Sequence, residues 1–293
     1  MTGRPVPDSA GPDSSGTGFG ARLSAAMRRR GRLCVGIDPH PGMLRAWGLP
    51  EDASGLREFG RRVISASAGR VGVIKPQVAF FERCGTAGLQ ALAEIQQEAR
   101  EAGLLVIADA KRGDIGSTMA AYAEAWLSPD SEFAADALTV SPFLGFGSLR
   151  PAVEAAQTHG AGLFVLALTS NPEGEQVQLA ERAGRTVAAG LVADVAGVNG
   201  QPGEQVLGDI GLVVGATTDP LARERGISLT AGRPPILAPG YGAQGATAQG
   251  LREGFGEAYQ DQVLVNASRS ILQRGPEVED LATAVEAARA ELA

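Results

Sequence analysis

The stretch Leu104-Leu-Val-Ile-Ala-Asp-Ala-Lys-Arg-Gly-Asp-Ile-Gly-Ser-Thr118 decides how the rest of the chain is read. Its first part, Leu104 to Ala108, is apolar without a break. Such a run suits a strand buried on both faces of a parallel sheet. Its second part carries Asp109, Lys111, Arg112 and Asp114. Strand side chains alternate, so Asp109 and Lys111 are expected on one side, with Asp114 just beyond, in the turn before a helix. Charges at the end of so apolar a strand are costly unless they are paired or used. Two readings follow. One is a structural ion pair at a strand end. The other is a strand that delivers charge into a pocket at its carboxyl end, where α/β sheets and barrels bind ligands.

Working outward, seven more apolar runs share that outline: 32–37, 70–75, 137–140, 163–168, 211–215, 236–238 and 262–266. Between them lie helical patterns over about 52–68, 85–102, 116–126, up to 159, 175–198 and 276–292, and a first helix spans about 19–30. Strands that alternate with helices predict right-handed βαβ units and a parallel sheet. Eight such units predict an α/β fold closed into a (β/α)8 TIM barrel, with a doubly wound open sheet as the alternative. Residues 1–17, rich in Pro, Gly, Ser and Asp, read as a disordered tail, which leaves 18–293 as a single barrel domain.

Composition narrows the function classes. The net charge is −7 and no long basic block occurs, which argues against nucleic acid or an anionic membrane as partner. The triplet Arg28-Arg-Arg30 is the densest basic cluster and reads as a solvated helix face. Two cysteines (Cys34, Cys84) and two histidines (His40, His159) stand in no metal-ligand spacing. The N-terminus has no apolar signal region and no run reaches the roughly 20 residues of a membrane span, so a cytoplasmic protein is expected.

If the barrel is right, the carboxyl ends of the strands form one face and hold the site. Those ends supply Asp38, Lys75, Asp109 with Lys111, the segment from Ser141 to Ser148, Thr169 and Ser170, Thr217 and Thr218, Gln244 and Arg269. Neighbouring strands lie about 4.8 Å apart, so Lys75 on strand two can reach Asp109 on strand three. The result is an alternating Lys75–Asp109–Lys111 array that Asp114 can extend, each charge holding its neighbours ionised. After strand seven, Gly240, Gly242 and Gly245 let backbone N–H groups approach a ligand closely, while Gln244 and Arg269 add donors suited to phosphate oxygens. The plain alternative there is a Gly-rich turn beside a surface arginine. No Ser-His-acid set, HExxH or P-loop occurs, and His40 reads as a loop residue, so acid–base work falls to lysine and aspartate.

The segment Asp109-Ala-Lys-Arg-Gly-Asp-Ile-Gly-Ser-Thr118 resembles the DxKxxDI…T signature of the orotidine 5′-phosphate decarboxylases, and the chain is similar to their longer bacterial branch. Further matches follow in family order: Gly36-Ile-Asp-Pro39, Ile74-Lys-Pro76, Thr169-Ser-Asn-Pro172, Val214-Gly-Ala-Thr217, Pro239-Gly-Tyr-Gly-Ala-Gln-Gly245 and Ala267-Ser-Arg-Ser270. The resemblance implies a barrel homodimer that converts orotidine 5′-phosphate to UMP and CO2, the last step of UMP biosynthesis, without metal or organic cofactor. It assigns Lys75, Asp109, Lys111 and Asp114 to a catalytic charged network, with Lys111 as carbanion stabiliser and proton donor. Asp114, Ile115 and Thr118 would reach the partner subunit's site. Asp38 and Lys75 would contact ribose hydroxyls, Ser148 the pyrimidine edge, and Gln244 and Arg269 the phosphate. Thr169, Gly240, Gly242 and Ser268 complete the expected substrate-binding set. Gly147 departs from the pattern, standing where many relatives have an acid.

Three rivals share parts of this reading. Metal-dependent sugar-phosphate enzymes of the same suprafamily are expected to carry an acid at the end of strand two, where this chain has Lys75. A Schiff-base aldolase wants a lysine of lowered pKa, whereas Lys75 and Lys111 are flanked by acids. A nucleotide-binding barrel without catalysis would lack a network residue, and none is missing.

Overall fold

The protein is described by a computed structural model covering residues 18–203, 206–218, 222, 224–242 and 245–293. The expected tail at 1–17 lies outside the described residues. Eight parallel strands form a closed barrel: β1 (Leu33–Ile37), β2 (Val73–Pro76), β3 (Leu105–Arg112), β4 (Ala137–Val140), β5 (Gly162–Leu168), β6 (Ile210–Val214), β7 (Ile236–Pro239) and β8 (Val263–Ala267). Each strand pairs with the next, and β8 closes on β1 with Leu33 opposite Val265. The open-sheet alternative is thereby removed. Helices Ala53–Ser67, Gly85–Glu101, Gly116–Leu127, Arg150–His159, Val187–Asn199, Ala248–Phe255 and Val278–Glu291 lie along the chain between and after the strands. The first of these starts where its sequence says it should: the Asp52 side chain accepts hydrogen bonds from the N–H groups of Ser54 and Gly55.

The strand alternation sorts the core into two populations. Val35, Ile74, Val106, Leu138, Val165 and Val265 pack outward with the helices. Cys34, Val73, Ile107, Ala137, Phe164, Leu237 and Leu264 pack inside the barrel. Phe19 and Leu23 of the first helix (Phe19–Arg30) join that inner cluster. The Phe19 ring meets Phe164 edge-on at 5.9 Å, and a Cβ on Gly162, the first residue of β5, would lie 2.2 Å from it. The helix therefore closes the amino end of the barrel, and the glycine makes room for its ring.

Two residues further along the strands, the same inward side becomes polar. Lys75, Asp109, Thr139 and Asn266 follow Val73, Ile107, Ala137 and Leu264 by one strand period and are all buried. The floor of the barrel is apolar and the next layer toward the carboxyl ends carries buried polar and charged side chains.

The expected helix over 175–198 is broken. A short helix, Glu175–Gln178, gives way to an antiparallel ribbon in which Glu181–Arg182 pairs with Arg185–Thr186. The connecting Ala183 and Gly184 have φ of 53° and 74°, the left-handed pair that a two-residue hairpin turn demands and a helix cannot contain. The helix proper starts at Val187, its first turn capped by the Thr186 hydroxyl, which accepts from the Ala189 N–H. Two short helices, Pro41–Ala46 and Val78–Glu82, add to the sequence reading. His40 caps the first of them, its Nδ1 accepting from Met43 N, so its role is that of a loop residue.

Candidate active site

Asp109 is the centre of the polar layer. Its Oδ2 accepts from Lys75 Nζ at 2.7 Å, and its Oδ1 accepts from Lys111 Nζ at 2.5 Å and from the Thr139 hydroxyl at 3.0 Å. The strand spacing brought Lys75 and Asp109 together as expected, and pairing between β2 and β3 continues to Asp109 through a bridge with Gln77.

Lys111 arrives by a different route from the one the spacing suggests. A regular strand would put it beside Asp109 by alternation alone. Instead the pairing of β3 with β4 slips between Ala108 and Arg112, and Lys111 has a φ of 49°. That left-handed conformation costs a non-glycine residue about 1 kcal/mol. The Lys111 backbone N–H, freed from the ladder, donates to Thr139 Oγ1 at 2.9 Å.

The electrostatics follow from burial and pairing. Burial alone would raise the Asp109 pKa, but Lys75 and Lys111 outweigh it and hold the carboxyl well below its ordinary value. Burial would likewise lower the Lys75 pKa, and Asp109 and Asp38 outweigh it and hold the ammonium above its ordinary value. The two lysines are not equivalent. The Lys75 side chain is 5% exposed and the Lys111 side chain 45%, so Lys111 is the more accessible cation of the two.

The other expected residues divide. Asp38, following β1, has a buried Oδ1 without a hydrogen-bond partner among the described residues, an acceptor facing the same layer. Asp114 does not join the network within one chain: its Oδ1 accepts from Ile115 N at 2.8 Å, and no bond links it to Asp109 or Lys111. Strand β3 ends at Arg112, two residues before Asp114, and Ile115 and Thr118 are exposed. The Ser148 hydroxyl donates to the Gly145 carbonyl at 2.7 Å. Thr169 is tied into its own loop, donating from Oγ1 to Asn171 Oδ1 and from its N–H to Gln178 Oε1. Ser268 lies 3.4 Å from Asn266 Nδ2, and a Cβ on Gly36 would come within 1.9 Å of its hydroxyl, so Gly36 makes its place. Gly240 and Gly242 have φ of 117° and 71°, and the Gly242 N–H donates to the Ala246 carbonyl within the same loop. Arg269 is exposed and pairs with no acid among the described residues. Gln244 lies outside the described residues.

Two members of the polar layer escaped the sequence reading. Thr139 was one threonine in an apolar strand, and its inward parity with Ala137 was the available signal. Asn266 was the same case on β8, and its Oδ1 is buried without a partner among the described residues. Among those residues no group of three or more His, Cys, Asp or Glu converges as a metal site.

Known proteins resemble this chain in sequence and in fold. The model of the orotidine 5′-phosphate decarboxylase / HUMPS family matches residues 31–284. The orotidine 5′-phosphate decarboxylase of Streptomyces coelicolor is 56% identical over 270 residues, covering 92% of this chain and 94% of the relative. That of Salinispora arenicola is 52% identical over 269 residues, covering 92% and 94%. Among solved structures, a candidate orotidine 5′-phosphate decarboxylase from Streptomyces avermitilis superposes with a TM-score of 0.90 at 54% identity, covering 95% of each chain. The Leishmania donovani OMP decarboxylase does so with a TM-score of 0.76 at 29% identity, covering 94% of this chain and 98% of that one. An eight-stranded barrel whose inward layer sets Lys75, Asp109 and Lys111 in line, in a chain matched by the family over most of its length, belongs to the orotidine 5′-phosphate decarboxylase / HUMPS family.

Proposed function

We propose that this chain decarboxylates orotidine 5′-phosphate to UMP and CO2, with Lys111 as the group that stabilises the carbanion and returns the proton. The observation that carries the reading is the Lys75–Asp109–Lys111 line with Lys111 at its exposed end. Breaking the bond between the ring carbon and its carboxylate leaves the electron pair on a carbon with no conjugated sink. A fixed ammonium beside that carbon stabilises the pair, and one of its protons then forms the new C–H bond. The amine left behind is recharged from water. Lys111 is preorganised for this because Asp109 and the Thr139 contact hold it before substrate arrives.

Asp109 would stand beside the departing carboxylate, where its charge disfavours the bound substrate more than the transition state. Lys75 holds Asp109 ionised from the other side. Asp38 would accept from ribose hydroxyls, a role its unpartnered buried oxygen supports. Arg269 and the glycines at 240 and 242, together with Gln244, would take the phosphate, whose binding energy can orient the ring far from it.

The active unit in this proposal is a homodimer in the cytoplasm. Asp114 turns from its own chain's network, and the nearby Ile115, Phe143 and Leu144 are 61%, 78% and 55% exposed. Large apolar side chains standing in water beside an incomplete site favour a second copy that covers them and receives Asp114. No helix among the described residues is long and apolar enough to cross a membrane.

The test is loss of orotidine 5′-phosphate absorbance with purified protein in excess EDTA. Rapid conversion to UMP is expected. Activity that appears only on adding Mg2+ would move the chain to the sugar-phosphate side of the family. For the shared site, Lys111→Ala and Asp114→Ala subunits are mixed. A heterodimer then holds one site with both residues intact and regains activity, whereas no recovery in a demonstrated heterodimer refutes the crossing of Asp114.

A further inference from the structure

Opposite the irregular end of β3, one residue of β4 does the work of a ladder. Ala108 pairs with Leu138 and Arg112 with Val140. Three residues of β3, Asp109 to Lys111, therefore stand against the single residue Thr139. A bulge of this kind leaves its extra residues without regular pairing. Here the bulge contains both groups assigned to the chemistry, and one of them holds a left-handed backbone conformation. Something other than sheet pairing must fix it.

Thr139 supplies both missing contacts through one oxygen. Its hydroxyl proton goes to Asp109 Oδ1 at 3.0 Å, and its lone pair receives the Lys111 backbone N–H at 2.9 Å. The side chain is 1% exposed, and β-branching restricts its χ1, so the oxygen is held on a stiff post. The ammonium of Lys111 also bonds Asp109 Oδ1, so the hydroxyl and the ammonium fix one carboxylate oxygen together. Lysine stems are long and flexible, and the Asp109 carboxylate can rotate about its own bond. The threonine limits both, since it orients the carboxylate that holds the ammonium and anchors the backbone from which the lysine starts.

We propose that Thr139 is a positioning residue for the decarboxylation, acting through Asp109 and Lys111 without touching the substrate. The proposal rests on the reading of those two residues as the reacting pair. A group that only aligns charge for the transition state affects turnover more than binding. Its conservative replacement should therefore restore what its isostere loses.

The experiment compares Thr139→Val, Thr139→Ser and Lys111→Ala with the parent, by steady-state kinetics and by UMP calorimetry on the folded dimer. Thr139→Val keeps the shape and removes the oxygen. Its kcat is expected to fall by about 10- to 100-fold, the scale of a lost hydrogen bond to a charged group. KM and UMP affinity should stay within about twofold. Thr139→Ser keeps the oxygen and is expected to retain most of the parent kcat. Thr139→Ala removes the oxygen without a second γ-methyl and gives the same readout should the valine variant fail to fold. A valine variant with parental kcat overturns the proposal, as does a serine variant that falls as far as the valine one, which would make the methyl the important group. Parental turnover in Lys111→Ala would instead remove the underlying reading. A dead Lys111→Ala beside a fully active Thr139→Val removes only the role of Thr139.

Discussion

Replacing Asp109 by asparagine takes the countercharge from a lysine that has almost no water around it. Lys75 is 4% exposed, and its ammonium lies 2.7 Å from Asp109 Oδ2. Removing one partner of a buried pair costs about 3–5 kcal/mol, because the other charge stays behind uncompensated. Asp38 remains as a weaker countercharge, which places the expected loss for Asp109→Asn near the lower end, about 3 kcal/mol. The pH dependence separates this cause from lost packing. In the parent, the Asp109 pKa is depressed, so its contribution is present above about pH 4 and is lost as pH falls. The Lys75 pKa is raised, so its contribution is present below about pH 10 and is lost as pH rises through the folded value. In the variant the order at Lys75 reverses. Burial now dominates, the ammonium prefers to shed its proton, and the penalty shrinks as pH rises. The gap between parent and variant should therefore be full at pH 7 and visibly smaller at pH 10. Urea titration followed by circular dichroism measures it as the shift in midpoint at each pH. A loss below about 1 kcal/mol at pH 7, or a gap that does not change between pH 7 and 10, would refute the electrostatic account.

Three further outcomes follow from the same geometry. Lys111→Ala should fold and bind UMP while kcat falls by at least about 10^4, since it removes an electrostatic and a proton-transfer contribution at once; near-parental turnover would exclude it as the reacting cation. Arg269→Ala should raise KM for orotidine 5′-phosphate by about 10- to 100-fold, the scale of a charge-assisted phosphate contact, and an unchanged KM would remove its phosphate role. Burial pushes the thiol of Cys34 up to about 12, whereas Cys84 is partly exposed. Iodoacetamide at pH 8 should thus modify Cys84 alone in the native protein and both cysteines in urea, as read by mass spectrometry, and alkylation of native Cys34 would contradict its burial.

The barrel was legible because each of its strands is a short apolar run with a polar end, and the runs alternate with helical patterns, as in a parallel sheet covered on both faces. Lys75, Asp109 and Lys111 were legible because charge is conspicuous where everything else is apolar. Thr139 and Asn266 were not, because threonine is an ordinary strand residue and one amide in a run carries no period of its own. Asp109 and Lys111 do meet, but strand alternation was the wrong reason: the meeting depends on a slip in pairing and a left-handed lysine, and no local propensity announces either. Asp114 lies past the end of β3, where strand alternation no longer sets the direction of a side chain. At 175–198 the apolar period suggested a continuous helix, and the Ala183-Gly184 turn, only two residues long, was hidden within it.

The first helix has a consequence for traffic. With the Phe19 ring seated on Phe164 at the amino end, the barrel is stoppered there among the described residues. In the proposed reaction, nucleotide, gas and the water that recharges the amine would then share the mouth at the carboxyl ends of the strands. Carbon dioxide released beside Asp109, as proposed, would meet that apolar floor on one side and leave past the ring from which it came. In the proposed cycle, whatever covers that mouth would therefore also time the escape of the gas and the return of water.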